Sequence, residues 1–182
     1  MSLNRFFKKI FYHSFKYIVL ILDIINPRLS MKFYNKLLKF VGINIIGIPR
    51  YISYKVRFDT FELIEIGDRV VISEKVILLT HDYTFTTALI SIGEIPKTDV
   101  SFNRRIIIGN NVFIGMGVIV LPGTKIGNNV IIGAGSVVRG TIPENSVYIG
   151  NPGKVIGSIQ DYAEKCKLKI KSQDFNFHED SF

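Results

Sequence analysis

An eighteen-residue repeat runs through the middle of the chain. Residues 108–120 read IGNNVFIGMGVIV and residues 126–138 read IGNNVIIGAGSVV, so nine of thirteen positions agree. Residues 66–78, IGDRVVISEKVIL, are a weaker copy. Within each copy an aliphatic residue recurs every six positions, a period that fits neither an α-helix nor a simple alternating strand. The repeat therefore predicts short strands joined by corners, with three strands closing one coil of eighteen residues.

Stacked coils of this kind form a parallel β-helix, in which each coil buries its aliphatic residues against its neighbours. The corners are rich in glycine, which lets the backbone turn where a Cβ atom would clash. With 182 residues and a hydrophobic content of 47%, the chain can form one such domain with a proper core. We assign residues 43–156 to the β-helix, residues 1–42 to N-terminal helices and residues 157–182 to a C-terminal helix and tail.

The repeat resembles the hexapeptide-repeat acyltransferases, in particular the branch that holds the maltose and galactoside acetyltransferases and the bacterial polysaccharide O-acetyltransferases. The resemblance covers roughly residues 48–156 and is clearest from residue 108 to the closing Asn151-Pro152. It implies a mainly β fold, the left-handed parallel β-helix, which is an exception to the usual right-handed crossover. It also implies a homotrimer that uses acetyl-CoA as the acyl donor.

The repeat is interrupted within the stretch LLTHDYTF, residues 78–85, which contains its only histidine. Hexads begin at residues 66, 72 and 78, whereas residues 84–101 hold no frame. Phe102 restarts the frame, with Ile106 in the inward position. The interruption is then eighteen residues, or three hexads, and its ejection as a protruding loop leaves the stacking undisturbed. Long loops on rigid scaffolds usually carry binding function.

The six-residue frame also predicts which residues lie above His81. As the fourth residue of its hexad, His81 would start a column continued by Gly117, Gly135 and Gly153. Three steps of about 4.8 Å give a groove on the order of 14 Å long, walled by bare backbone. Such a groove suits the pantetheine arm of coenzyme A, and the N–H groups near Gly115 and Gly117 are candidate donors to a thioester oxyanion. The alternative is that corner positions simply favour glycine.

Acyl transfer from a thioester to a hydroxyl needs a base, and an imidazole changes its protonation near neutral pH. The resemblance assigns this role to His81. Asp82 falls on an inward position, where a lone carboxylate is costly to bury, so the coil must open there. We expect Asp82 to orient His81 or to tie down the loop. Asp59 and Glu62 are weaker candidates for the orienting carboxylate.

Further residues are assigned to the two substrates. Arg139 and Lys154 stand near the top of the predicted column and are expected to meet the phosphates of coenzyme A, unless they are solvated surface cations. Two side chains of the loop offer aromatic and hydroxyl surface to a sugar acceptor, and two arginines offer charge to an anionic group on it. These acceptor residues are Tyr83, Thr84, Arg104 and Arg105.

The net charge of +8 is concentrated in residues 1–42, which hold eight Lys or Arg and one acid. Nucleic acid is not an expected partner, because a chain that binds it would more often spread basic residues over its folded body. Apolar residues at three- and four-residue spacing predict an amphipathic helix that ends at Asn26-Pro27 and a second helix that ends at Gly42. The apolar run at 17–22 is too short to span a bilayer.

Two interpretations of these helices remain open. They pack on the body of the protein or on a sister subunit, or the first helix makes peripheral contact with the anionic inner face of the cell membrane through residues 1–28. A cytoplasmic location is expected in both cases, and the single Cys166 is compatible with a reducing compartment.

The expected function is acetyl-CoA-dependent O-acetylation of a sugar or of a polysaccharide precursor. One alternative is an N-acetyltransferase that acts on a nucleotide-linked amino sugar, and another is a non-catalytic β-helix scaffold, which would not bind coenzyme A. A zinc enzyme on this fold needs three histidine ligands. Only His81 lies in the repeat, so no metal is expected.

Overall fold

The structure is a computed structural model that describes residues 3–172. Two helices open the chain, α1 (Leu3–Ile25) and α2 (Pro27–Val41). Asn26 caps α2, because its side chain accepts a hydrogen bond from the N–H of Leu29, and Gly42 follows the last turn. Both helices therefore end where the sequence predicts.

The two helices pack on the first coil of the β-helix. The hydroxyls of Tyr12 in α1 and Tyr34 in α2 form a buried hydrogen bond of 2.9 Å. The ring of Tyr12 also meets the rings of Phe58 and Phe61, with centroids 6.2 and 5.2 Å away. One face of α1 is thus committed to the protein's own body, as the first interpretation of this segment expects.

The opposite face of α1 is apolar and exposed. Phe6, Ile10, Tyr17, Ile21 and Ile24 follow one another at helical spacing along it, and Ile24 is 82% exposed. Across the described part of the chain, no helix combines the length and the hydrophobicity needed to cross a bilayer.

Within the described residues, seventeen short strands follow α1 and α2, interrupted by a 3-10 turn at Phe61–Leu63 and a helix α3 at Thr84–Ser91. The strands are β1 (Asn44–Ile45), β2 (Tyr51–Ile52), β3 (Arg57–Phe58), β4 (Ile64–Ile66), β5 (Val71–Ile72), β6 (Ile77–Leu78), β7 (His81–Asp82), β8 (Phe102–Asn103), β9 (Ile106–Ile108), β10 (Val112–Ile114), β11 (Ile119–Val120), β12 (Lys125–Ile126), β13 (Val130–Ile132), β14 (Val137–Val138), β15 (Thr141–Ile142), β16 (Ser146–Gly150) and β17 (Gly153–Ser158).

These strands form three parallel faces around one core. The faces run β1-β4-β9-β12-β15, β2-β5-β10-β13-β16 and β3-β6-β11-β14. The predicted fold class, a mainly β left-handed parallel β-helix with N-terminal helices and a protruding loop, is confirmed. The aliphatic residues that recur every six positions are fully buried, as Ile66, Ile72 and Leu78 show.

Three corners join the faces. The asparagine corner holds residues 67–69, 109–111, 127–129 and 143–145. The glycine corner holds residues 73–75, 115–117 and 133–135. The histidine corner holds residues 79–81, 121–123 and 139–140. The glycine and histidine corners lie at the two ends of the four-stranded face β3-β6-β11-β14.

The protruding loop leaves from the histidine corner. Strands β7 and β8 pair antiparallel, and helix α3 lies between them. Partners on either side of the interruption are 42 residues apart, as Ile66 beside Ile108 shows, so 24 residues leave the stack and not the predicted eighteen. The expectation that Phe102 restarts the frame is wrong, because Phe102 pairs with Asp82 outside the stack. Ile106 is buried as predicted.

The top of the β-helix is closed by a hairpin. Strand β17 folds back antiparallel on β16, and α4 (Ile159–Ser172) follows it. The last coil is shorter than the others, since Ile132 pairs with Tyr148. The C-terminal helix agrees with the sequence prediction, and the tail predicted after it lies outside the described residues.

Candidate active site

His81 is held at the histidine corner by a carboxylate from the coil below. Its Nδ1 faces the carboxylate of Asp59, which also accepts hydrogen bonds from the N–H and the hydroxyl of Thr80 at 3.0 and 2.8 Å. An ionised carboxylate only accepts hydrogen bonds, so Nδ1 donates, and Nε2 of a neutral ring keeps its lone pair. The side chain of His81 is 36% exposed, which leaves it accessible to a substrate.

The environment of Asp59 keeps it ionised. Burial raises the pKa of this carboxyl, but the hydrogen bonds from Thr80, together with the charge and hydrogen bond of His81, lower it more. The pKa of Asp59 therefore lies below its usual value of 3.8. A negative charge beside Nδ1 fixes the orientation and the tautomer of the ring, with the proton on Nδ1.

Asp82 does not orient His81. Its Oδ1 accepts a hydrogen bond of 2.8 Å from the N–H of Thr84, at the start of α3. Of the two roles expected for Asp82, the structure thus shows the one that ties down the loop. Its assignment as a catalytic residue is corrected in favour of Asp59, which sequence reasoning ranked below it.

A pocket of about 280 Å³ opens in front of His81. It is built from helix α1, the segment after β3, the histidine corner and the strand that returns from the loop. Its lining residues are Lys8, Lys9, Asp59, Thr60, Phe61, Glu62, His81, Tyr83, Ser101 and Asn103. The ring of Tyr83 stands edge-on to the imidazole, with centroids 5.3 Å apart.

The other predicted acceptor residues lie outside this pocket. Thr84 begins α3 and is exposed. The guanidinium of Arg104 lies 4.4 Å from the ring centroid of Phe102, and Arg105 pairs with Glu65 at 3.7 Å. Neither arginine lines the pocket of His81, and their assignment to an anionic group of the acceptor stays a prediction.

The predicted column of glycines above His81 is also wrong. Leu78 lies beside Val120, so the hexad of His81 stacks under residue 120 and not under Ile114. Gly117 and Gly135 therefore belong to the glycine corner, one edge away from His81. The error follows directly from the interruption, because six more residues leave the stack than the frame counted.

Gly117 and Gly135 nevertheless stack on each other along a bare edge. Both have a φ of +69°, and a Cβ atom on either would meet nothing within 4 Å. Gly153 is different, because it lies in the closing hairpin and a Cβ there would clash with the ring of Tyr148. The glycine groove thus has two members and not three.

The candidate oxyanion donors are already in use. The N–H of Gly115 donates to the carbonyl of Ile132 at 2.9 Å, and the N–H of Gly117 donates to the carbonyl of Glu74 at 3.0 Å. Neither of these N–H groups is available to a thioester oxygen in this geometry.

The two cations assigned to coenzyme A lie in different places. Arg139 is exposed on the histidine corner, two coils above Leu79, or on the order of 10 Å along the stack. Lys154 is exposed in the closing hairpin opposite Ile149. Arg139 therefore shares an edge with His81, whereas Lys154 does not. Among residues 3–172, no cluster of His, Cys, Asp and Glu side chains could hold a metal ion.

Lys8 and Lys9 are site residues that sequence reasoning missed. They come from α1, more than seventy positions before His81, and only the packing of α1 on the first coil brings them to the pocket. The position of Asp59 was harder to predict. It follows Phe58, which lies beside Leu78, so Asp59 belongs to the coil directly below the histidine corner. The 3-10 turn at Phe61–Leu63 lengthens that coil and hides its register in the sequence.

Comparisons with known proteins agree with this fold. Residues 105–140 match the family described as bacterial transferase hexapeptide (six repeats). The galactoside O-acetyltransferase of Lactococcus lactis is 32% identical over 149 residues, which cover 76% of this chain and 72% of that protein. Protein CapG of Staphylococcus aureus is 48% identical over 57% of each chain. A solved galactoside acetyltransferase in complex with coenzyme A superposes with a TM-score of 0.63 at 25% identity, over 98% of this chain and 90% of that one.

The β-helix, the histidine at its corner and these similarities define a class, the hexapeptide-repeat acetyltransferases. This chain belongs to that family, to which the galactoside O-acetyltransferases also belong. For three curated relatives, CapG among them, the match with this chain covers only 56% to 60% of the relative's own length.

Proposed function

We propose that this protein transfers an acetyl group from acetyl-CoA to a hydroxyl of a sugar or of a polysaccharide precursor. The observation that carries the proposal is the paired His81 and Asp59 at the pocket in front of the histidine corner. The names of the relatives support the reaction class, since several are galactoside O-acetyltransferases and one is a putative lipopolysaccharide biosynthesis O-acetyl transferase.

The pair supports a general-base mechanism. Nε2 of His81 takes the proton of the acceptor hydroxyl while that oxygen attacks the thioester carbonyl. Asp59 stabilises the imidazolium that forms. When the tetrahedral intermediate collapses, the C–S bond breaks, the proton passes from Nε2 to the departing sulfur, and the acetyl ester and coenzyme A are released. No net proton or charge remains on the enzyme.

A homotrimer would complete this site. The histidine and glycine corners border the same face, β3-β6-β11-β14, but they lie on two different edges of the β-helix. Around a three-fold axis parallel to the stack, the histidine corner of one chain faces the glycine corner of the next. The open backbone at Gly117 and Gly135 then walls a narrow groove for the pantetheine arm, with its thioester at the neighbour's His81. In this arrangement Arg139, on the histidine corner itself, would bind the phosphates of the same coenzyme A molecule.

Turnover with matched acceptors tests the proposal. Acetyl-CoA is offered with a panel of sugars and with the corresponding amino sugars, and thiol release is followed. The proposed function predicts release with hydroxyl acceptors that ends in an acetyl ester. Transfer confined to the amino sugars would favour the N-acetyltransferase, and failure to bind coenzyme A at all would favour the scaffold.

We also propose that α1 makes peripheral contact with an anionic membrane at the inner face of the cell, which places the protein in the cytoplasm. Its exposed apolar face, from Phe6 to Ile24, lies beside the basic residues of the same helix. Replacing Ile21 and Ile24 by aspartate should abolish flotation with anionic vesicles, whereas Leu168→Asp, at an exposed position of α4, should not. Equal flotation of the wild type and both variants would exclude this contact.

A further inference from the structure

Lys9 carries an ammonium group with no carboxylate partner in the pocket of His81. Both carboxylates of this pocket are engaged, since Asp59 is bound by Thr80 and His81, and Glu62 lies 3.8 Å from Lys8. Within residues 6–172, no carboxylate oxygen lies within ion-pair distance of Lys9. The pocket therefore presents one uncompensated positive charge, and Lys8 carries a second that is weakly paired.

Lys9 also lines a second, open groove on the other side of its helix. This groove is a shallow, open depression between side chains of α1 alone, bordered by Phe6, Ile10, His13, Ser14 and Tyr17. It is mostly apolar, and Lys9 is the residue that the two depressions share. A ligand that passes from the active-site pocket into this groove must run beside the ammonium group.

We propose that the acceptor carries a phosphate ester next to the sugar that is acetylated, and that Lys8 and Lys9 bind this phosphate. The inference rests on the proposed acetyl transfer and narrows its substrate class. An ammonium group pairs with phosphate through charge-assisted hydrogen bonds, which a neutral glycoside cannot offer. The two arginines expected to do this from the sequence, Arg104 and Arg105, are turned to Phe102 and Glu65 instead.

Two kinds of acceptor would present this phosphate, a nucleotide-linked sugar and a lipid-linked sugar. The apolar groove beyond Lys9 is suited to the chain of a lipid phosphate. It continues into the exposed face of α1 that holds Ile21 and Ile24.

The test compares four probes that share one sugar: methyl galactoside, galactose 1-phosphate, UDP-galactose and octyl phosphogalactose. Equilibrium binding to the full chain is measured together with acetyl transfer. The phosphorylated probes should bind about tenfold more tightly than the glycoside, the size of one charge-assisted hydrogen bond. The advantage should shrink as salt is raised, because partly exposed charges are screened.

The variants assign the effect to residues. Lys9→Gln should lose most of the preference for phosphate, and the double replacement of Lys8 and Lys9 by glutamine should abolish it. Glu62→Gln should increase it, because Lys8 is then released from its carboxylate. Lys32→Gln makes the same change of charge at an exposed position of α2 and should leave the preference unaltered.

The outcomes separate this inference from the proposed function. Tighter binding of either the nucleotide or the alkyl phosphate, lost in Lys9→Gln, supports the phosphate site even if galactose itself is not acetylated. A preference of the alkyl phosphate over UDP-galactose assigns the lipid-linked source. Equal binding of all four probes, or a preference that survives the double replacement, overturns the inference while leaving acetyl transfer to neutral sugars intact.

Discussion

The asparagine corner and the glycine corner repeat the same turn with opposite results. In both corners the third residue of the turn has a positive φ. These residues are Asn111 and Asn129 in the asparagine corner and Gly117 and Gly135 in the glycine corner. In the asparagine corner the side chains bond from coil to coil, with distances of 2.9 and 3.0 Å from Asn111 through Asn129 to Asn145. At Gly117 and Gly135 of the glycine corner no side chain fills the corresponding space.

The same backbone turn therefore serves stability in one corner and function in the other. Asparagine tolerates the left-handed conformation and adds a ladder of hydrogen bonds, so its corner is closed. Glycine adopts the same conformation without a side chain, so the edge at Gly117 and Gly135 stays open to a ligand. Variants at the open corners should therefore change turnover or substrate affinity, and variants at the closed corner should change the free energy of unfolding.

The largest effect is expected at the histidine corner. His81→Ala should lower kcat by about 10²- to 10⁴-fold, because the acceptor hydroxyl loses its base. The affinity for coenzyme A and the melting temperature should stay near those of the wild type, since His81 is partly exposed and outside the core. Steady-state kinetics and calorimetry check both parts. Full activity in this variant would remove His81 from the mechanism.

The next effect is expected at Asp59. Asp59→Asn should lower kcat by about a hundredfold, because an amide N–H toward Nδ1 favours the tautomer with the proton on Nε2. The matched control, Asp82→Asn, should lower kcat only slightly, since Asp82 contacts the loop and not the imidazole. If the variant at position 82 were the more damaged of the two, the assignment of the orienting carboxylate would be wrong.

The same Asp59 variant has a second readout in the pH dependence of folding. The pKa of Asp59 is lowered in the folded protein, so its ionised form adds stability above the unfolded pKa, and this is lost as pH falls through the folded value. Asp59→Asn should therefore flatten the loss of stability below about pH 4. Denaturation by urea across this range measures the difference.

A smaller effect is expected when the glycine corner is filled. Gly135→Asn keeps a residue that tolerates a φ of +69° but projects a side chain into the open edge. The KM for acetyl-CoA should rise about tenfold, the loss of about one good contact, while the melting temperature changes little. An unchanged KM would show that coenzyme A does not use this edge.

The smallest effect on activity is expected at the asparagine corner. Asn129→Gly removes the hydrogen bonds to Asn111 and Asn145 and should lower the free energy of unfolding by about 1–2 kcal/mol. Its kcat and KM should match the wild type. Loss of activity without loss of stability would contradict the division of roles between the corners.

The sequence predicts the core of this fold well and the site only in part. A six-residue period names the buried positions directly, because each aliphatic residue packs against the one a coil away, as Ile114 does with Ile132. The edge on which His81 lies depends instead on how many residues leave the stack between β6 and β9. The excursion that contains β7 and β8 is six residues longer than the frame predicted. Their antiparallel pairing has no counterpart in the six-residue period, so the sequence pattern does not reveal it.

The remaining site residues depend on packing between distant segments. Asp59 reaches His81 through a first coil whose register is obscured by the turn at Phe61–Leu63. Lys8 and Lys9 reach the pocket because Tyr12, on the same helix, is anchored against Phe58 and Phe61. No spacing in the sequence relates residue 9 to residue 81, so a lysine in α1 is indistinguishable there from any other surface cation.

The hairpin of β16 and β17 has a consequence for how these molecules behave at high concentration. A stack of parallel coils has an upper rim of unpaired N–H and C=O groups, and such a rim is a template for end-to-end growth into fibrils. Strand β17 pairs antiparallel with β16 and occupies that edge of its face, while α1 and α2 cover the opposite end. Shortening the chain before Gly153 would expose this edge, and we expect elongated aggregates from a species that otherwise stays discrete.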